Sequence, residues 1–200
     1  MKIALFGTSA DPPTLAHQAI LIWLAQHFDR VAVWAADNPF KQGPNPNTGH
    51  WASLGDRQTM LKLLVEDVQS HYGTVQIWED LSDRRSLISL QRARQRWGLE
   101  PNYALVVGAD LITQIPQWYA VEKLLPAVQL LIFPRPGYSI DQADLARLEQ
   151  LGGQYQIVDQ VGDRDITPAI SSSIYRQTKE EELIPPAVQS YIEQKQLYEP

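Results

Sequence analysis

Ile3-Ala4-Leu5-Phe6-Gly7-Thr8-Ser9-Ala10-Asp11-Pro12-Pro13-Thr14-Leu15-Ala16-His17 runs from an apolar stretch through small residues and two prolines into a second apolar segment, Gln18 to Phe28. That order predicts a strand, a tight turn and a helix, with Thr14 and His17 at the helix entrance. A strand end, open backbone amides, a helix N-terminus and a histidine together make a place to hold phosphate. Gly7, Thr8 and Ser9 line the turn, and Thr14 and His17, three residues apart, share one helical face. Standing alone, such a pair is more often a cap or a packed side chain than a phosphate donor.

The same alternation continues along the chain. Apolar runs at 31–35, 75–78, 104–107, 128–133 and 155–158 read as further strands, several apolar on both faces. Between them the pattern predicts helices at roughly 17–28, 53–69, 84–97 and 141–151, the second opened by Ser53 and Asp56. Strand and helix in turn imply an α/β fold: a Rossmann-like, doubly wound, mostly parallel sheet with helices on both faces. Ligands of such sheets collect beyond the strand C-terminal ends. Three loops have that address, 7–16, 37–49 and 108–118; the second is rich in proline and glycine and reads as a binding loop or a plain surface excursion.

Two hundred residues at 44% hydrophobic suit one domain spanning 1–200, its part from 165 to 200 helical. The net charge of -6 argues against a general nucleic-acid or membrane-surface binder. The absence of cysteine excludes disulfides, thiolate catalysis and Cys-ligated zinc. No apolar run is long enough to span a bilayer and the start lacks a signal-peptide pattern, so the expected location is the cytoplasm. Neither G-x-G-x-x-G nor a Walker lysine motif is present, which removes the main support for redox dinucleotide binding. The four scattered histidines form no metal-ligand motif, so no protein-held metal is expected.

A second anion site is written near the other end of the chain. Ile170-Ser171-Ser172-Ser173-Ile174-Tyr175-Arg176 follows Pro168 as though opening a helix. Its serines offer hydroxyls and amides at the positive end of a helix dipole, and Arg176 lies one turn from Ser172.

At these two motifs the chain resembles the HxGH/TxxH nucleotidyltransferase superfamily, and more closely the nicotinate-mononucleotide adenylyltransferases. The resemblance runs nearly end to end. The family's opening pattern lies over Gly7 to His17, and its Asn-Pro-x-x-Lys loop resembles Asn38-Pro39-Phe40-Lys41, one residue short. Arg57 to Met60 is similar to its Arg-x-x-Met, and Gly108-Ala109-Asp110 with Trp118-Tyr119 to its Gly-x-Asp turn and following Trp. Arg135-Pro136-Gly137-Tyr138, Ile170 to Arg176, and Tyr191-Ile192 with Leu197-Tyr198 complete the series in order. The departures are Thr8 for the second glycine, Ala10 for a phenylalanine, Thr14 for the first His and Ala16 for the glycine before His17. Arg84-Arg85-Ser86 stands against the family's Ser-Tyr-Thr.

The resemblance implies transfer of AMP from ATP to nicotinate mononucleotide, giving deamido-NAD and pyrophosphate in NAD biosynthesis. It implies that His17 and Thr14 serve the transferred phosphate, that Ser172, Ser173 and Arg176 hold the departing phosphates, and that Gly7, Thr8 and Ser9 complete the ATP side. On the acceptor side it implies Lys41, Ser86, Gly108, Asp110, Trp118, Tyr119 and Arg135, with Trp118 stacking on the pyridine ring. Mg2+ would arrive on the ATP phosphates. The partners are these two small molecules, with neither nucleic acid nor membrane, and self-association is left open. Two other classes remain: a phosphopantetheine or nicotinamide-mononucleotide adenylyltransferase, and a non-catalytic nucleotide sensor on the same fold.

Overall fold

A computed structural model of the chain describes residues 1–37, 44, 49–135, 137–158, 160–161, 164–165 and 170–199. Six strands, β1 (Lys2–Thr8), β2 (Arg30–Ala35), β3 (Val75–Ile77), β4 (Asn102–Gly108), β5 (Gln129–Phe133) and β6 (Gln154–Ile157), form one sheet in the order β3-β2-β1-β4-β5-β6. Every pairing in it is parallel. This is the doubly wound order, and the predicted strands sit within a residue or two of the observed ones.

Alternation along each strand sends side chains to opposite faces. Ala4, Phe6, Val31, Val33, Val106 and Phe133 pack on one side, under α1 (Leu15–His27), α2 (Leu54–Gln69) and the late helices α6 (Ser172–Thr178) and α7 (Pro186–Lys195). Ile3, Leu5, Ala32, Trp34, Leu105, Val107 and Ile132 pack on the other, against α3 (Ser86–Trp97), the short α4 (Val121–Leu124) and α5 (Gln142–Gln150). Both faces are covered, which is why the central strands carry almost no polar residue. A two-residue antiparallel pair, β7 (Gln160–Val161) and β8 (Arg164–Asp165), was not legible in the sequence.

The register places the ligand crevice. β1 pairs with β2 all the way to Thr8↔Ala35. Its pairing with β4 stops at Leu5↔Leu105. Beyond that point Phe6–Thr8 and Val106–Gly108 separate, and the sheet forks at the strand ends where its winding reverses. Open sheets of this type bind ligands at such a fork.

Candidate active site

The fork carries two clefts. The first, of about 130 Å³, is lined by Gly7, Thr8, Ser9, Ala10, His17 and Ser171–Ser173, together with Gly108, Asp110 and Arg135. The second, of about 240 Å³, is lined by Gly7, Trp34, Arg84, Arg85, Ser86, Ser89, Trp118 and Tyr119. They share a wall of Gly7, Val106, Val107 and Leu111. Gly7 is required there: a Cβ would stand 2.7 Å from Trp34 Nε1, its cross-strand neighbour.

In the first cleft the entrance of α1 fixes the imidazole. Thr14, fully buried, caps the helix and donates its backbone N–H to His17 Nδ1 at 3.1 Å, while its hydroxyl lies 3.0 Å from the same nitrogen. An accepted amide leaves Nδ1 without a proton, so the hydrogen sits on Nε2. Nε2 lies 3.1 Å from Thr8 Oγ1 at the end of β1. The ring, oriented by a backbone group, therefore turns its donor toward Thr8 in the cleft wall. Thr14 itself is not part of the cleft wall, so its contribution passes through His17.

The two ends of the chain meet behind this wall. Ser172 Oγ donates to Pro12 O at 2.8 Å, and Arg176 donates to Asp11 O through Nη1 and to Ser173 Oγ at 3.1 Å through Nη2. The Arg176 guanidinium also lies over the Trp51 ring, 5.4 Å from its centroid. Burial lowers the Arg176 pKa, with Asp11 and Tyr198 pulling the other way. Ser171 caps α6, accepting from Ile174 N at 3.2 Å. The serines line the cleft with His17 as the sequence implied, while Arg176 holds the loop from behind them.

The buried Asp11 carboxylate accepts from Trp51 N at 2.8 Å, Ala52 N at 3.1 Å and the Tyr198 hydroxyl at 2.9 Å. Burial, and then the facing Asp11 charge, push the Tyr198 phenol far up, so it stays a donor. Tyr198→Phe removes this bond to an acceptor-only group and is expected to cost about 1.5 kcal/mol. Thermal melting should then fall by roughly 3–6 °C. An unchanged melting temperature would show that Asp11 is held by its backbone donors alone.

Arg57, the first residue of the Arg-x-x-Met motif, is fully buried. It donates to Ser9 O at 2.8 Å and Ala36 O at 3.0 Å and pairs with Asp37, tying the ends of β1 and β2 together.

Gly108, Asp110 and Arg135, implied on the acceptor side, line the cleft that holds His17. Asp110 pairs with Arg135 at 3.1 Å. A Cβ on Gly108 would stand 2.4 Å from Asp110 Oδ1, so the glycine makes room for that pair. Ser86, Trp118 and Tyr119 do come together in the second cleft. Arg85 lies over Tyr119, 5.3 Å from the ring centroid. It also bonds Asp83: burial raises the Asp83 carboxyl pKa, but Arg85 and Arg92 outweigh it and hold the group below its usual value. Lys41, with the whole Asn38-Pro39-Phe40-Lys41 motif, lies outside the described residues.

The sequence profile of the cytidylyltransferase-like family matches residues 5–178. A Synechocystis sp. protein named "Probable nicotinate-nucleotide adenylyltransferase" is 82% identical over 198 residues, covering 99% of each chain. A Bacillus cereus protein of the same name is 30% identical over 208 residues, covering 99% of this chain and 98% of its own. Among solved structures, Plasmodium falciparum nicotinic acid mononucleotide adenylyltransferase complexed with NaAD superposes with a TM-score of 0.76 at 19% identity, covering 98% and 97% of the two chains. The same enzyme complexed with APC gives a TM-score of 0.75 at 20% identity, covering 98% and 96%. At those identities the structural likeness speaks for the fold.

Proposed function

Since this chain belongs to the cytidylyltransferase-like family and, within it, to the nicotinate-nucleotide adenylyltransferases, we propose that its forked sheet transfers AMP from ATP to nicotinate mononucleotide, releasing pyrophosphate. The observation that carries the reading is the pair of clefts with one shared wall. ATP lies on the His17 side and the acceptor on the Trp118 side, so the acceptor phosphate meets the α-phosphorus over Gly7.

The acceptor's phosphate oxygen forms a bond to the α-phosphorus as the bond to the β-phosphate oxygen breaks, and that electron pair leaves with pyrophosphate. The nucleophile is already largely ionised, its second pKa being about 6, so no side chain has to act as a base. Catalysis then rests on alignment and on charge stabilisation. His17 donates Nε2–H to an oxygen on the α-phosphorus. Ser172 and Ser173 with the loop amides of Ser9 and Ala10 receive the departing phosphates, and Arg176 keeps that loop in place. Asp110 offers its carboxylate to ribose hydroxyls, and Trp118 stacks on the pyridine ring.

Among the described residues no group of three or more His, Cys, Asp or Glu side chains is placed to hold a metal ion. The ATP-side wall offers hydroxyls, amides, one histidine and the Asp110–Arg135 pair, a set suited to a metal that arrives on phosphate oxygens. Magnesium carried in this way neutralises phosphate charge. We place the reaction in the cytoplasm on one domain spanning 1–200, supported by the lack, among the described residues, of any helix long and apolar enough to cross a membrane.

An acceptor panel tests the reading. With ATP and magnesium, pyrophosphate release should be fastest with nicotinate mononucleotide, slower with nicotinamide mononucleotide and absent with phosphopantetheine. Turnover of phosphopantetheine, or of no acceptor at all, overturns it.

A further inference from the structure

Among the polar groups of the acceptor cleft that the family motifs do not use, one is buried without a partner. Ser89 stands on the first turns of α3, three residues beyond Ser86, and borders the cleft with it. It is only 1% exposed, and its hydroxyl has no hydrogen-bond partner among the described residues. Helical hydroxyls ordinarily bond the carbonyl four residues back. Thr59, Thr178 and Ser190 in this protein do so, to Gly55 O at 2.9 Å, Ile174 O at 3.1 Å and Pro186 O at 3.0 Å. Ser89 does not. A buried hydroxyl without a partner is destabilising. At the wall of a binding cleft, a ligand is the partner that would satisfy it.

The surroundings narrow the chemistry of that ligand. The N-cap position of α3 is Arg85, whose side chain does not cap the helix, and the first turn holds no acidic residue. Helix geometry leaves the Ser86 and Leu87 amides without intrahelical acceptors. The positive end of the dipole and the Arg85 guanidinium lie beside them. The Asp37 and Asp83 carboxylates also border the cleft, but Arg57 takes up the first and Arg85 and Arg92 the second. Donors are what remains open at this end, as an anion requires, whereas a carboxamide would set its N–H2 group against other N–H groups.

Resting on the acceptor reading above, we infer that Ser89 is a specificity-determining residue of this cleft, donating its hydroxyl to the carboxylate on the acceptor's aromatic ring. The α3 amides and Arg85 provide the rest of the carboxylate's setting, and Ser89 supplies a buried side-chain donor in the wall.

Steady-state kinetics of Ser89→Ala with ATP and either nicotinate or nicotinamide mononucleotide, alongside thermal melting, test the inference. Losing one hydrogen bond to a charged group raises the KM for nicotinate mononucleotide roughly 10- to 100-fold. The KM for ATP stays unchanged, kcat changes little, and the preference for acid over amide falls by a similar factor. The melting temperature of the free protein holds or rises, because an unsatisfied hydroxyl has gone. A purely structural serine would move the melting temperature and leave the acid-to-amide ratio alone. Ser89→Cys, of similar size with a weak donor, carries the same test if the alanine variant fails to fold. Wild-type turnover combined with an unchanged acceptor KM in the variant overturns the role of Ser89 alone. No wild-type turnover of nicotinate mononucleotide overturns the acceptor reading, and this inference with it.

Discussion

His17→Ala is expected to lower kcat by roughly 10²- to 10³-fold in a protein that still folds, the loss typical of one preorganised donor at a developing charge. The argument rests on the tautomer. Thr14 N–H is aimed at Nδ1, so the ring cannot turn its proton inward, and Nε2 keeps its hydrogen toward the cleft. An alanine forfeits the donor and also leaves the Thr14 amide without its acceptor, a loss at the helix start of about 1 kcal/mol. That cost lowers the melting temperature by roughly 2–4 °C and does not account for the fall in turnover. Single-turnover measurement with saturating ATP separates the two. Near wild-type kcat would remove His17 from the chemistry.

Arg57→Ala should produce the largest change in stability. The guanidinium is fully buried and answers two carbonyls and the Asp37 carboxylate. Removing one partner of such a set typically costs about 3–5 kcal/mol, because the others stay behind without donors. Asp37 keeps 21% of its side chain exposed, which places the expectation near the lower end. About 3 kcal/mol corresponds to a melting temperature lower by roughly 6–12 °C. Arg57→Lys should recover little, since one ammonium cannot reproduce a planar fork toward Ser9, Ala36 and Asp37. The KM for ATP should rise as well, because Ser9 lines the cleft proposed to hold the nucleotide. A melting temperature within about 2 °C of wild type would contradict the structural role.

The sheet was legible because its strands are apolar on both faces and because α3 and α5 carry a clear helical period. Ile3–Phe6 and Ala104–Val107 could hardly be anything but buried strands. The short α4, four residues long between turns, gave no period to read. The His17 pair and the serine run were legible as chemistry because each sits at a helix start following a break in the apolar pattern. What connects them was not: Tyr198 to Asp11 and Ser172 to Pro12 are contacts between residues far apart in the chain, and spacing carries no trace of them. The same blindness hid that Gly108, Asp110 and Arg135 share a cleft with His17, because a β4 end borders both clefts and only the register shows where the strands part. Ser89 was hidden for another reason. A serine on an amphipathic helix looks unremarkable until its missing partner is seen.

The wall shared by the two clefts has a stereochemical consequence. Gly7, Val106, Val107 and Leu111 offer no nucleophile. In the direct attack proposed above no side chain carries the adenylyl group between the two substrates, so each transfer is a single displacement at phosphorus. An odd number of displacements inverts configuration. A nucleotide made chiral at its α-phosphorus would therefore leave this enzyme with the configuration at that phosphorus inverted, an outcome set by two strands that part after Leu5 and Leu105.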